Sequence, residues 1–154
     1  LLTIIDLWLW WIWPVKYLYH LKDFRGEYTG LLEYEYSNVD GEQIKGVLNH
    51  KKVLTQTGST VTIRSYTYNS DGSLSSESIS NVESIELEKD GTFKLVYNYL
   101  NDGNIQQGFP PHYGTEVLKF SESKSEKQLS GYYYTNRMPF QSRGHINVKL
   151  LTKK

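Results

Sequence analysis

From residue 26 onward the chain alternates between side chains that prefer water and side chains that avoid it, and punctuation by turn residues breaks the alternation into short runs. In the first run Tyr28, Leu32, Tyr34 and Tyr36 share one parity while Glu27, Glu33 and Glu35 take the other. Period two is the repeat of a strand with one wet and one dry face, and no helical stripe at a spacing of three to four competes with it after Lys22. Asp40-Gly41, Thr57-Gly58, Asn69-Ser70-Asp71-Gly72 and Asp90-Gly91 supply turn chemistry between runs. The pattern predicts strands over about 26–36, 45–56, 60–68, 73–88, 92–100, 114–120, 128–135 and 144–151, with a break or bulge in the fourth near Asn81. Val61 and Ile63 oppose Arg64, Tyr66 and Tyr68, and Phe93, Leu95, Tyr97 and Tyr99 fall on one face. Eight antiparallel strands joined mostly by short hairpins make the fold mainly β. An up-and-down, lipocalin-like barrel is expected, because closure removes the unpaired edges that a two-layered sandwich would leave. A barrel of eight strands has room for one small ligand.

The first fifteen residues differ from the rest. All four tryptophans lie at Trp8, Trp10, Trp11 and Trp13, and Asp6 is the only charge before Lys16. Leu9 to Trp13 is an unbroken apolar run, which leaves an amphipathic helix without a polar face. Pro14 follows, then Lys16, Tyr17, Tyr19, His20, Lys22 and Arg25, an arrangement of aromatic belt and basic flank found where a membrane helix meets the headgroups. The stretch is shorter than the roughly 20 residues a span requires, and it lacks the basic start and small-residue cleavage site of a secretory leader. It is therefore expected to be the end of a transmembrane helix whose beginning lies upstream of Leu1, with Trp8, Trp10, Trp11, Ile12 and Trp13 in the membrane. The basic flank puts the barrel on the cytoplasmic side. The competing reading is a helix that plugs one end of the barrel. Two parts follow: residues 1–22, the span end and its flank, and residues 23–154, a ligand-sensing barrel.

Composition narrows the chemistry. Seventeen basic residues balance seventeen acidic ones, so no overall field draws the chain to DNA. There is no cysteine, which excludes disulfides and cysteine-held metals, and His20, His50, His112 and His145 have no metal-ligand spacing. No phosphate loop, dinucleotide-binding glycine pattern or nucleophile elbow occurs. The acidic residues fall mostly on wet positions and supply no clear inward pair. An enzyme, a cofactor and a metal are all unexpected. What remains is binding. Thirteen tyrosines outnumber five phenylalanines, and tyrosine joins an aromatic face to a hydroxyl. After Arg25 the arginines are Arg64, Arg137 and Arg143, and the last two bracket a loop that follows Gly131-Tyr132-Tyr133-Tyr134-Thr135. Guanidinium forks pair with phosphate oxygens and aromatic faces stack on bases. The candidate site is accordingly Arg64, Tyr97, Tyr99, His112, Tyr132, Tyr134, Asn136, Arg137 and Arg143, set at a barrel mouth.

Taken in order, the Trp-rich head, Phe24-Arg25-Gly26-Glu27-Tyr28-Thr29-Gly30, Leu95-Val96-Tyr97-Asn98-Tyr99, His112-Tyr113-Gly114-Thr115-Glu116-Val117-Leu118, Gly131-Tyr132-Tyr133-Tyr134-Thr135-Asn136-Arg137 and Arg143-Gly144-His145-Ile146 resemble the barrel half of bacterial CBASS-type effectors with two transmembrane helices and a β-rich domain. The resemblance covers essentially the whole chain but shows one short span where the family has two. It implies a cyclic dinucleotide as ligand, made by a partner cyclic-oligonucleotide synthase during phage infection. It also implies self-association through the membrane segments and disruption of the bacterial inner membrane, with the nucleotide either triggering or restraining that event. The rival to this reading is a membrane-anchored carrier of an apolar small molecule, which would need an apolar interior.

Overall fold

The computed structural model describes residues 2–13, 15–16, 22–104, 108–138 and 141–152; the flank residues Pro14, Tyr17, Tyr19 and His20 and the loop residues Pro139 and Phe140 lie outside the described residues. Eight strands follow one another: β1 (Gly26–Ser37), β2 (Gln43–Gln56), β3 (Val61–Tyr68), β4 (Leu74–Leu87), β5 (Phe93–Asn101), β6 (His112–Glu122), β7 (Lys127–Thr135) and β8 (Ser142–Thr152). Each pairs antiparallel with its neighbours, and β8 returns to β1 to close the barrel. The expected strands are all present. Register slips between Ser80 and Val82, which places the fourth-strand bulge at Asn81.

Three hairpins share one turn. The segments 38–42, 69–73 and 88–92 each close a three-residue loop with two backbone bonds, the first residue both donating to the fifth and accepting from the fourth. The fourth residue is Gly41, Gly72 or Gly91, with φ between 81° and 83°. A type I turn followed by a left-handed residue needs glycine there, because a β-carbon would meet the following carbonyl. An aspartate precedes each glycine, and the carboxylates of Asp71 and Asp90 accept the N–H two residues on.

The barrel's two ends differ. At one end Phe24, fully buried, packs edge-on to Phe120 (4.9 Å between ring centres) and Phe93 (5.9 Å), with Leu54, Val61, Ile63, Leu118 and Leu129 around them. Its backbone is tied as well: Phe24 N–H donates to Gln56 Oε1, and its carbonyl accepts the Tyr28 hydroxyl. This end is a solid apolar plug. The opposite end, where the β1–β2 and β3–β4 hairpins meet the β5–β6 and β7–β8 loops, is hollow.

The head lies against one end of the barrel, as in the competing reading, but as short turns rather than one helix. Short helical turns at Leu2–Ile4 and Ile5–Leu9, the second of π type, lead to Trp10, which is buried. The guanidinium of Arg25 lies over the rings of Trp10 (5.0 Å) and Trp11 (5.8 Å), and Gly58 N–H in the β2–β3 turn donates to the Asp6 carbonyl. Among the described residues no helix is long and apolar enough to cross a membrane. The head thus sits at the plugged end of the barrel, while Trp8 and Trp13 each leave about 70% of their surface exposed, at 71% and 72%.

Candidate functional site

The hollow end encloses a cavity of about 440 Å³, within the range of small-molecule sites. Every strand contributes side chains to its wall, with Leu48 from β2 and Ser142 from β8 among them. Tyr34 and Tyr36 come from β1, His50 from β2, Thr67 from β3, Ser76 and Ser78 from β4, Tyr99 from β5, Glu116 from β6 and Tyr133 from β7. The lining mixes aromatic faces with hydroxyls and amides, which suits a ligand that is both flat and polar. Gly114 makes room for one face of it. A β-carbon there would collide with the Tyr99 ring, so the glycine lets that ring lie directly on β6.

At the mouth Arg137 is nine-tenths buried. Its guanidinium stacks over Phe109 at 4.2 Å and Tyr36 at 5.5 Å, and those two rings meet edge-on. Tyr34 in turn stacks on Tyr36. Burial pushes the Arg137 pKa down, partly offset by the neighbouring Tyr133, Tyr36 and Tyr99 hydroxyls. A cation already desolvated against aromatic rings is preorganised for an anion, since it has little hydration left to lose. His112 lines the same mouth, its Nδ1 paired with the Pro110 carbonyl at 3.0 Å; burial first, and then the field of Arg137, act to keep it neutral.

The floor is a buried polar cluster. Lys52, without exposed surface, donates to Ser65 Oγ (2.8 Å) and to the Tyr97 hydroxyl (3.0 Å), and pairs with Glu116 Oε2 (2.8 Å). Tyr97 donates to the same Glu116 oxygen at 2.5 Å. Burial pushes the Lys52 pKa down while Glu116 opposes the shift, and burial together with Glu116 drives the Tyr97 phenol well up, so Tyr97 remains a donor. Beside this cluster His50 is held neutral by burial and by Lys52; its Nδ1 meets Thr67 Oγ1 at 3.1 Å.

The structure sorts the residues selected from sequence into two sets. Tyr99, His112 and Arg137 line the cavity, and Tyr97 supports its floor. The other five do not face it. Tyr132 and Tyr134 point outward, more than half exposed, because Leu129, Tyr133 and Thr135 hold the inward parity of β7. Arg64 pairs with Glu77 and Arg143 with Glu35 on the outer surface. Asn136 is exposed and braces the loop by accepting the Tyr113 N–H. Sequence reading missed Glu116, Lys52 and His50. The available signal was phase: Glu116 shares its parity with Gly114, Leu118 and Phe120, and Lys52 and His50 share theirs with Leu54. Among the described residues no group of three or more acidic or histidine side chains is placed to hold a metal ion.

A family model described as the Cap15 cyclic dinucleotide receptor domain matches residues 20–150. A comparison with curated proteins finds no match.

Proposed function

Because the chain belongs to the Cap15 cyclic dinucleotide receptor domain family of CBASS effectors, we propose that the mouth cavity is where it holds a cyclic dinucleotide, with Arg137 against a phosphate and Tyr99 and Tyr133 flanking a base. The observation that carries this reading is the position of Arg137, a desolvated guanidinium clamped by two rings at the entrance to a polar, tyrosine-walled cup. Phosphate oxygens accept its N–H fork, and bases stack on aromatic walls. An apolar carrier would want a greasy cavity, whereas this one is lined by Ser76, Ser78, Asn101 and Thr135 as well as by rings.

The finer reading is that occupancy of the cup controls assembly of the membrane-directed head, and that the assembled heads disrupt the inner membrane with the barrel on the cytoplasmic side. Its support is the exposed apolar surface of Leu7, Trp8, Trp11, Ile12 and Trp13. Surface of this kind partitions to lipid headgroups or to another copy of itself. A ligand shifts that assembly only as far as its affinity differs between the two states.

The test is calorimetric titration of the full chain with cyclic dinucleotides. Arg137→Ala should cost about 1.5–3 kcal/mol of binding free energy, the range for a charge-assisted contact. Arg143→Ala, on the outer wall, should change it by less than about 0.5 kcal/mol. Unaltered affinity in the Arg137 variant removes the mouth from the site. For the head, Ile12→Lys should abolish membrane damage and leave binding intact; damage that persists means the head does not enter the bilayer.

A further inference from the structure

Glu116 lines the floor of the cavity with a carboxylate that is nearly inaccessible from outside and is paired with Lys52. Its two oxygens are used differently. Oε2 accepts both Tyr97 and Lys52, while no described residue donates to Oε1. Lys52 cannot serve the ligand in its place, since its donors already go to Ser65, Tyr97 and Glu116. A second group nearby is also unused: His50, a wall of the same cavity, has a buried Nε2 with no hydrogen-bond partner among the described residues. Two aromatic rings flank the carboxylate. Tyr133 sits directly across from it on β7, and Tyr99 lies over Gly114, the preceding inward position on β6.

An acceptor-only carboxylate between two rings asks for a flat group that presents N–H donors edge-on. Nucleobases differ sharply in this respect. Adenine and cytosine set a ring-nitrogen lone pair beside their amine, which would face the carboxylate's own lone pairs. Uracil flanks its single N–H with two carbonyls. Guanine alone carries two adjacent donors, N1–H and the N2 amine, on one edge.

We infer that the floor is a guanine-reading subsite, in which Glu116 Oε1 accepts from the N1–H and N2 edge of a guanine base inserted between Tyr99 and Tyr133, with His50 Nε2 as its polar neighbour. This rests on the cyclic dinucleotide reading above and adds the base to it. Arg137 at the mouth and Glu116 at the floor then divide the ligand, the cation taking phosphate and the anion taking base.

The experiment titrates the full chain with cyclic di-GMP, cyclic di-AMP, cyclic di-UMP and cyclic di-IMP, the last of which keeps N1–H but lacks the N2 amine. Cyclic di-GMP should bind at least about tenfold more tightly than the adenine and uracil ligands, and cyclic di-IMP should fall between, as expected when a buried acceptor is left short of donors. Glu116→Gln, which turns one acceptor oxygen into an amide NH2 donor, should bring the guanine-to-adenine ratio to within about threefold, with cooperative melting retained as the check on folding. Equal affinity for cyclic di-AMP and cyclic di-GMP overturns the assignment, as does a full guanine preference in the Glu116 variant. Should that variant fail to fold, the wild-type ranking with cyclic di-IMP decides alone: affinity equal to that of cyclic di-GMP overturns the assignment. Binding of none of the four ligands overturns the receptor reading itself, a separate result from binding without base preference.

Discussion

Replacing Lys52 with methionine keeps the length and apolar stem of the side chain and removes only its charge. The structure sets the consequence. Glu116, almost fully buried, loses the cation 2.8 Å from Oε2 and keeps Tyr97 as a donor. A carboxylate left charged without its partner costs about 3–5 kcal/mol. Lys52→Met should therefore be destabilised by about 3–4 kcal/mol at neutral pH. Adding Glu116→Gln to Lys52→Met removes the stranded charge and preserves an acceptor for Tyr97, so the double variant should recover at least about half of the deficit. Urea denaturation of wild type, the two single variants and the double variant at pH 7 measures the cycle. A double variant no better than Lys52→Met would show that the pair is not the charge-coupled element described here.

Two further perturbations probe the plug and the buried imidazole. Phe24→Ala should lower stability by about 3–5 kcal/mol, because the ring is wholly enclosed by Phe93, Phe120 and their neighbours; a loss under about 1 kcal/mol in denaturant titration would mean that the plug collapses to fill the space. His50 has a folded pKa depressed below the ordinary 6.5 by burial, then by Lys52, so the unfolded chain binds the extra proton first. Stability is thus highest above pH 6.5 and falls as pH drops through that value, by up to about 1.4 kcal/mol per pH unit. Melting temperatures of wild type and His50→Gln between pH 7.5 and 5 check this; parallel profiles would assign the acid sensitivity to other groups.

The parts of the fold that were legible in the sequence are those specified locally. Asp40-Gly41, Asp71-Gly72 and Asp90-Gly91 each encode a turn within five residues, and alternation fixes which side chains face inward once a strand is in place. Even the irregularity at Asn81 was expected, and the register slips there. The site was less legible because a cavity needs its strands ordered around a ring. In Tyr132-Tyr133-Tyr134 the residue type is constant, so only the phase set by Leu129 and Thr135 tells that the middle ring points in. Arg137 and Arg143 look equivalent as letters, yet one is stacked within the mouth and the other pairs with Glu35 across the β8–β1 seam. Glu116 reads as an ordinary wet carboxylate until Lys52, far away in sequence, is brought against it. The seat of the head depends in the same way on distant partners, Gly58 and Arg25.

The phenylalanine stopper makes this barrel a blind vessel. A guest admitted past Arg137 has to depart by the doorway through which it came, so capture and escape share one threshold and a single substitution there alters both speeds together. Between that threshold and the tryptophans at the far pole stand the staves of the barrel, and β1, which carries Tyr36 at the rim and begins beside Phe24 at the base, joins one to the other.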